Sequence, residues 1–119
     1  MLLTQREFNA FCGDLPATTH VVQWGGAEVW KVGGKVFAIG WFERDKYAGI
    51  TFKVSDIAWE VLREAQGCRP APYLASRGMK WIQSYARGLS KAELKLYLKG
   101  SHALVAAGLS KKKRAELGL

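Results

Sequence analysis

Apolar positions along this chain recur first at helical spacing, then in alternation, then at helical spacing again, and these changes of period mark its elements. Thr4-Gln5-Arg6-Glu7 has the pattern of a capping box. Phe8, Phe11 and Cys12 follow at helical spacing, so a first helix is expected to end near Gly13, where Asp14-Leu15-Pro16 stops it. From Thr18 to Lys53, β-branched and aromatic residues dominate. Turn signals at Gly25-Gly26, Gly33-Gly34 and Glu43-Arg44-Asp45-Lys46 divide this stretch into four antiparallel strands, at about 18–24, 28–32, 35–42 and 48–54. Ser55 caps a second helix to about Gln66, with Ile57, Val61, Leu62 and Ala65 on one face and Gly67 as its stop. Pro70 and Pro72 make residues 68–80 irregular or one short turn, and Trp81 to Arg87 reads as a fifth strand. Ser90-Lys91-Ala92-Glu93 is a second capping box, opening a helix that ends near Leu109. Leu94, Tyr97, Leu98, Leu104 and Val105 share one face of it, and Lys91, Lys95, Lys99 and His102 line the neighbouring flank. Residues 110–117 leave room for one more turn.

The pair Gly33-Gly34 before Lys35 admits two readings. A phosphate-binding loop needs an earlier glycine four residues before the Gly-Lys pair, a Ser or Thr after the lysine, and a helix behind it. Val29 and Val36 stand near those places, and Val36-Phe37-Ala38-Ile39 favours a strand. A two-residue hairpin needs two strand-like runs around residues that accept positive φ, which the sequence supplies. Strict alternation then puts Trp30, Val32, Lys35, Phe37 and Ile39 on one face, expected to be core, and Val29, Lys31, Val36 and Ala38 on the other. Lys35 reaches solvent from the turn, and Lys31 projects from the more open face.

A length of 119 residues with 49% hydrophobic content fits a single domain, residues 1–119, with a basic tail at 110–119. Gln5, Arg6 and Glu7 interrupt any N-terminal apolar run, and no stretch nears the roughly 20 apolar residues of a membrane span, so a soluble, cytoplasmic protein is expected. Cys12 and Cys68 lie far apart and read as free thiols. The net charge of +8 is uneven: residues 1–60 carry six Lys/Arg against seven Asp/Glu, and residues 61–119 carry twelve against three. Such a field favours polyanions, nucleic acid before acidic lipid.

Leu15-Pro16 followed by Ala17-Thr18-Thr19, then Trp24-Gly25, Val32-Gly33-Gly34-Lys35-Val36-Phe37-Ala38, Pro70-Ala71-Pro72-Tyr73-Leu74, Lys80-Trp81-Ile82 and Ser101-His102-Ala103-Leu104-Val105 occur in that order. Together they resemble the MmcQ/YjbR family of small bacterial proteins. The resemblance implies a CyaY-like (frataxin-like) α+β fold: a twisted antiparallel sheet of about five strands, helices packed on one face and the other face partly open. It also implies DNA binding. Two departures stand out: Ser101-His102 replaces the family's common Ser-Tyr, and Met79-Lys80 intervene before the tryptophan strand.

Candidate chemistry is concentrated in bases and tryptophans. Arg69, Arg77, Lys80 and Arg87 surround the fifth strand; Lys91, Lys95 and Lys99 drift only about 40° per step around the last helix and form a stripe able to follow phosphates. Lys111, Lys112, Lys113 and Arg114 extend it, and Lys31 and Lys35 add charge from the hairpin. Aromatics interleaved with bases suit a stacking platform. Of the five tryptophans, Trp59 reads as helix packing, and Trp81, beside Arg77 and Lys80, is the foremost candidate for an exposed binding residue, ahead of Trp24 and Trp41. His20 and His102 lack a visible catalytic partner, and Glu7 with Asp14 makes no acidic ridge for a metal, so neither catalysis nor a cofactor or metal is expected. The expected function is non-enzymatic binding of duplex DNA through phosphates, with little sequence preference. The alternatives are a protein-protein module using the open sheet face, or a small-molecule-binding protein.

Overall fold

Both capping boxes close. The Thr4 hydroxyl accepts from the Glu7 amide while the Glu7 carboxylate accepts from the Thr4 amide, and Ser90 and Glu93 repeat the exchange. In the computed structural model, residues 3–43, 46–72 and 74–119 are described, residues 46–48 and 76 by backbone alone. The chain runs α1 (Gln5–Asp14), β1 (Thr18–Gln23), β2 (Ala27–Val32), β3 (Lys35–Glu43), β4 (Lys46–Lys53), α2 (Asp56–Leu62), β5 (Cys68–Pro70), a 3-10 turn (Ala75–Arg77), β6 (Trp81–Ser84), α3 (Lys91–Ala107) and α4 (Lys111–Leu117). All strand pairs are antiparallel, in the order β1-β2-β3-β4-β6-β5. The centre of the turn expected at Glu43–Lys46, Arg44 and Asp45, lies outside the described residues.

The helices share one face of this sheet. Phe8 and Cys12 of α1, Leu62 of α2, and Leu94, Leu98, Val105 and Ala106 of α3 pack with Val32, Phe37, Ile50, Phe52 and Ile82 in one core. Among the described residues, no helix is long and apolar enough to cross a membrane. The architecture is the expected α+β one, with a sixth strand where residues 68–80 read as irregular. β5 has three residues and ends in proline at the sheet edge, where no ladder donor is needed on the outer side. Helix α2 ends at Leu62, short of Gln66, and turns Ala58, Trp59 and Leu62 inward, leaving Ile57 80% and Val61 61% exposed. Packing the Trp59 indole removes more apolar surface than either aliphatic side chain would.

The Gly33-Gly34 hairpin forms, with both glycines at positive φ. Gly33 has a second role: a Cβ there would sit 2.6 Å from a Leu109 methyl, so the end of α3 closes directly onto the turn. Strict alternation fails one step further along. Trp30 pairs with Ala38 but Lys31 with Val36, so Phe37 is an extra residue, a β-bulge. Phe37 and Ala38 both reach the helix-side core, and Ile39 moves to the opposite face with Val29 and Val36, against the expectation that it shares a face with Phe37.

Beyond this bulge, Ser101 of α3, fully buried, enters the end of the β3–β4 ladder. Its hydroxyl donates to the Phe37 carbonyl at 2.6 Å and accepts from the Lys53 amide at 2.8 Å. Ser101→Ala leaves both backbone groups without that partner, and each such buried group costs about 1–3 kcal/mol. We expect a loss of about 2–4 kcal/mol in urea unfolding with an unchanged m-value; a loss below about 1 kcal/mol would contradict the bridging role.

Candidate functional site

Among the described residues no α-helix packs on the second face of the sheet, and its apolar side chains are covered by other means. Ala27, Val29 and Ile39 are buried there, with Val21, Val36, Trp41 and Leu74 packed partly over them. Two connections rise as walls. Trp24, in the β1–β2 turn, stands at φ 50° and is 59% exposed; Pro72 and Leu74 come from the segment between β5 and β6. A large non-glycine residue at positive φ is strained, and such strain concentrates where a side chain is held for use.

Between these walls lie two adjoining hollows sharing Trp24, Ile39 and Leu74. The first, about 450 Å³, has Ile39, Trp41, Thr51 and Gln83 in its floor. Gly49 gives Gln83 its place, because a Cβ there would lie 3.1 Å from the Gln83 amide nitrogen. Arg69 Nε donates to Gln83 Oε1 at 2.9 Å, and its guanidinium lies 4.6 Å from the centre of the Tyr85 ring. The second hollow, about 380 Å³, is bounded by Lys35, Val36, Lys53, Met79, Trp81 and the end of α3 at Leu104, Val105 and Gly108. No described residue lining either hollow is acidic.

The expected basic residues fall into separate groups. Lys35 and Lys53 border the second hollow, and Lys31 projects from the same face between Trp30 and Val32, which point to the core. Gly108 lines that hollow and Leu109 packs on Gly33, so the exposed Lys111, Lys112 and Lys113 follow within a few residues of it; Arg114 is half-buried. Arg69 belongs to the first hollow's edge, while Arg77 and Arg87 are exposed beyond either end of β6. Two expected phosphate ligands are engaged already: Lys80 Nζ meets Asp56 Oδ1 at 2.8 Å, and Lys91 Nζ grips both oxygens of Glu7 at 2.8 and 2.9 Å. Lys91 and the Thr4 cap pull the Glu7 carboxyl down to about 2. Lys95 lies 6.0 Å from the Phe11 ring, so the lysine flank of α3 leans on α1, with Lys99 left exposed.

Two residues differ from their expected places. Trp81 is only 5% exposed, and Trp24 is the exposed tryptophan. The order of burial depends on the walls above the sheet, which no local pattern encodes. His102 is buried rather than solvated: its Nε2 lies 2.8 Å from the Pro16 carbonyl and its ring meets Phe37 edge-on at 5.2 Å.

A cluster on the helix side escaped the sequence reading. Glu28, buried, receives Gln5 Nε2 at 2.6 Å, His20 Nε2 at 2.7 Å and Asn9 Nδ2 at 3.2 Å, while the Trp30 indole donates to Asn9 Oδ1 at 2.9 Å and stacks on His20. The β1–β2 register, which sets His20 opposite Trp30 and one step diagonal to Glu28, was the available signal. The cluster's geometry joins α1 to the sheet. Among the described residues, no three His, Cys, Asp or Glu side chains gather as a metal site.

Six antiparallel strands with their helices on one side define an open-faced α+β scaffold. The pattern of the YjbR family matches residues 13–104, and the chain belongs to that family. A crystal structure of a protein from Pseudomonas syringae superposes with a TM-score of 0.67, over 87% of this chain and 99% of that one, at 20% identity, a likeness of fold. No curated protein matches the sequence significantly.

Burial raises the Glu28 carboxyl, but hydrogen bonds from Gln5, His20 and Asn9 outweigh it and hold the group below its ordinary value. A carboxyl lowered in the folded state stabilises above its unfolded value and loses that contribution as pH falls through the folded one. Glu28→Gln should therefore cost about 2 kcal/mol at pH 7. In urea unfolding the gap to wild type should narrow below about pH 4; a gap constant down to pH 3 would contradict an ionised Glu28.

Proposed function

We propose that this YjbR-family protein binds nucleic acid without an enzymatic step, as a single strand laid across the open sheet face. One observation carries the reading: an aromatic and apolar groove, free of acidic lining among the described residues, has Lys35 and Lys53 at one end. Unstacked bases gain from aromatic and apolar walls such as Trp24 and Trp41, while phosphates gain from the lysines. A duplex presents phosphates and base edges and leaves such a groove unused. Duplex binding draws on the C-terminal bases, of which Lys80 and Lys91 are engaged with carboxylates. Lys31 and Lys111 to Lys113 supply further charge around the lysine end of the groove.

The test is fluorescence anisotropy of one labelled oligonucleotide, single-stranded and annealed, between low and physiological salt. The single strand should bind more tightly, with log affinity falling against log salt by about 0.7 per phosphate contacted. Lys35→Glu with Lys53→Glu should flatten that slope by one to two units. Trp24→Gly should weaken binding about tenfold, within the range for losing one stacked base, and leave stability within about 1 kcal/mol because glycine is at ease at positive φ. Absence of binding at low salt, or equal binding of duplex and strand with Trp24→Gly silent, would overturn the proposal.

A further inference from the structure

The second hollow holds a feature that packing does not explain. Trp81 forms part of its wall and is 5% exposed, yet its indole Nε1–H is buried with no hydrogen-bond acceptor among the described residues. A buried indole N–H normally finds a partner, and leaving one unmet is costly. The contrast with Trp30, whose Nε1 donates to Asn9 Oδ1 at 2.9 Å, lies within the same chain. Trp81 opens β6 opposite Lys53, the last residue of β4, so its orphaned donor and the Lys53 ammonium belong to neighbouring strands at one end of the sheet. Lys35 borders the same hollow from the start of β3. The remaining wall is apolar: Val36, Ile39, Met79 and Leu104. At about 380 Å³ the space lies at the small end of the range for ligand pockets, about 300–1,000 Å³, and suits one nucleotide rather than a dinucleotide.

Resting on the nucleic-acid reading above, we infer that this hollow receives one base of the bound strand. As the base seats, the Trp81 ring turns so that its Nε1 hydrogen, out of reach of solvent in the free protein, meets a ring nitrogen or carbonyl oxygen of that base, and Lys35 and Lys53 hold its phosphate. The aliphatic walls take the faces of the ring. The first hollow, with Trp24 and Trp41, carries a neighbouring base by stacking; Gln83 Oε1 there already accepts from Arg69 Nε, and Gln83 Nε2 donates to whichever acceptor the base offers. The protein then has two unlike positions: one tolerant of any base, and one that prefers bases presenting an acceptor at the depth of the indole.

Proton–nitrogen correlation spectra of the uniformly labelled protein resolve the indole N–H signals, and sequential assignment of wild type identifies Trp81 without a variant. The protein is titrated with a single-stranded hexanucleotide, with nucleoside monophosphates and with the parent nucleosides. The Trp81 signal should move downfield with the hexanucleotide and with at least one monophosphate, and nucleosides should bind about tenfold more weakly than their monophosphates. Trp81→Phe, which keeps a ring and removes the donor, should lower monophosphate affinity about fivefold and flatten the ranking of the bases, with an otherwise native spectrum. A hexanucleotide that binds with salt dependence while the Trp81 signal stays fixed overturns this inference and leaves the strand reading intact. Monophosphate binding with no hexanucleotide binding supports the hollow as a nucleotide site and overturns the strand. No binding of either removes both, and nucleosides that match their monophosphates remove the role of Lys35 and Lys53.

Discussion

One hydroxyl, that of Ser101, joins the longest helix to the middle of the sheet. It stands between the Phe37 carbonyl and the Lys53 amide, where the β3–β4 ladder ends beyond the Ala38–Phe52 pair, and supplies both with the partner the opposite strand does not. Buried backbone groups left unmet are too costly for this position to drift, so α3 has one height and one rotation on the sheet. From that anchor Leu94, Leu98 and Val105 fall on the core, His102 turns to the Pro16 carbonyl, and Leu109 arrives on Gly33. The same hydroxyl fixes the backbone of Lys53, which gives the open face one of its cations.

The helices satisfy only one side of the sheet. On the other, the bulge at Phe37 sends Ile39 outward, and Trp24, Trp41 and Leu74 cover the exposed strands incompletely, leaving the two hollows. The positive φ of Trp24 and the unmet donor of Trp81 are local costs that folding alone does not require. Both are found beside the same groove. The charge of the C-terminal half has a mixed use: Lys91 and Lys80 are bound to carboxylates of α1 and α2, and the lysines after Gly108 gather near the end of the second hollow.

Local chemistry was legible in the sequence. Capping boxes at Thr4 and Ser90, the Gly33-Gly34 hairpin and the meander of β1 to β4 all depend on contacts between neighbours in the sequence, and the ordered motifs placed the chain in its family. What was hidden depends on distant parts. An extra residue at Phe37 breaks the period of two, and nothing in Val36-Phe37-Ala38-Ile39 marks where the break falls. Helix α2 is so short that either of two stripes could have faced inward, and Trp59 decided it. The exposure of Trp24 and burial of Trp81 invert the expected ranking because walls from separate loops set both. His102 meets a carbonyl 86 positions earlier, beyond any spacing argument.

The central claim is that the open face, not the helical one, receives the ligand. Photo-crosslinking of a single-stranded oligonucleotide carrying 5-iodouracil, followed by mass-spectrometric mapping on the intact chain, tests it most directly. The account predicts crosslinks at Trp24 and Trp41, with α1 and the Lys91–Lys99 flank unmodified. Crosslinks confined to α1 and α3, with both tryptophans untouched, would contradict it.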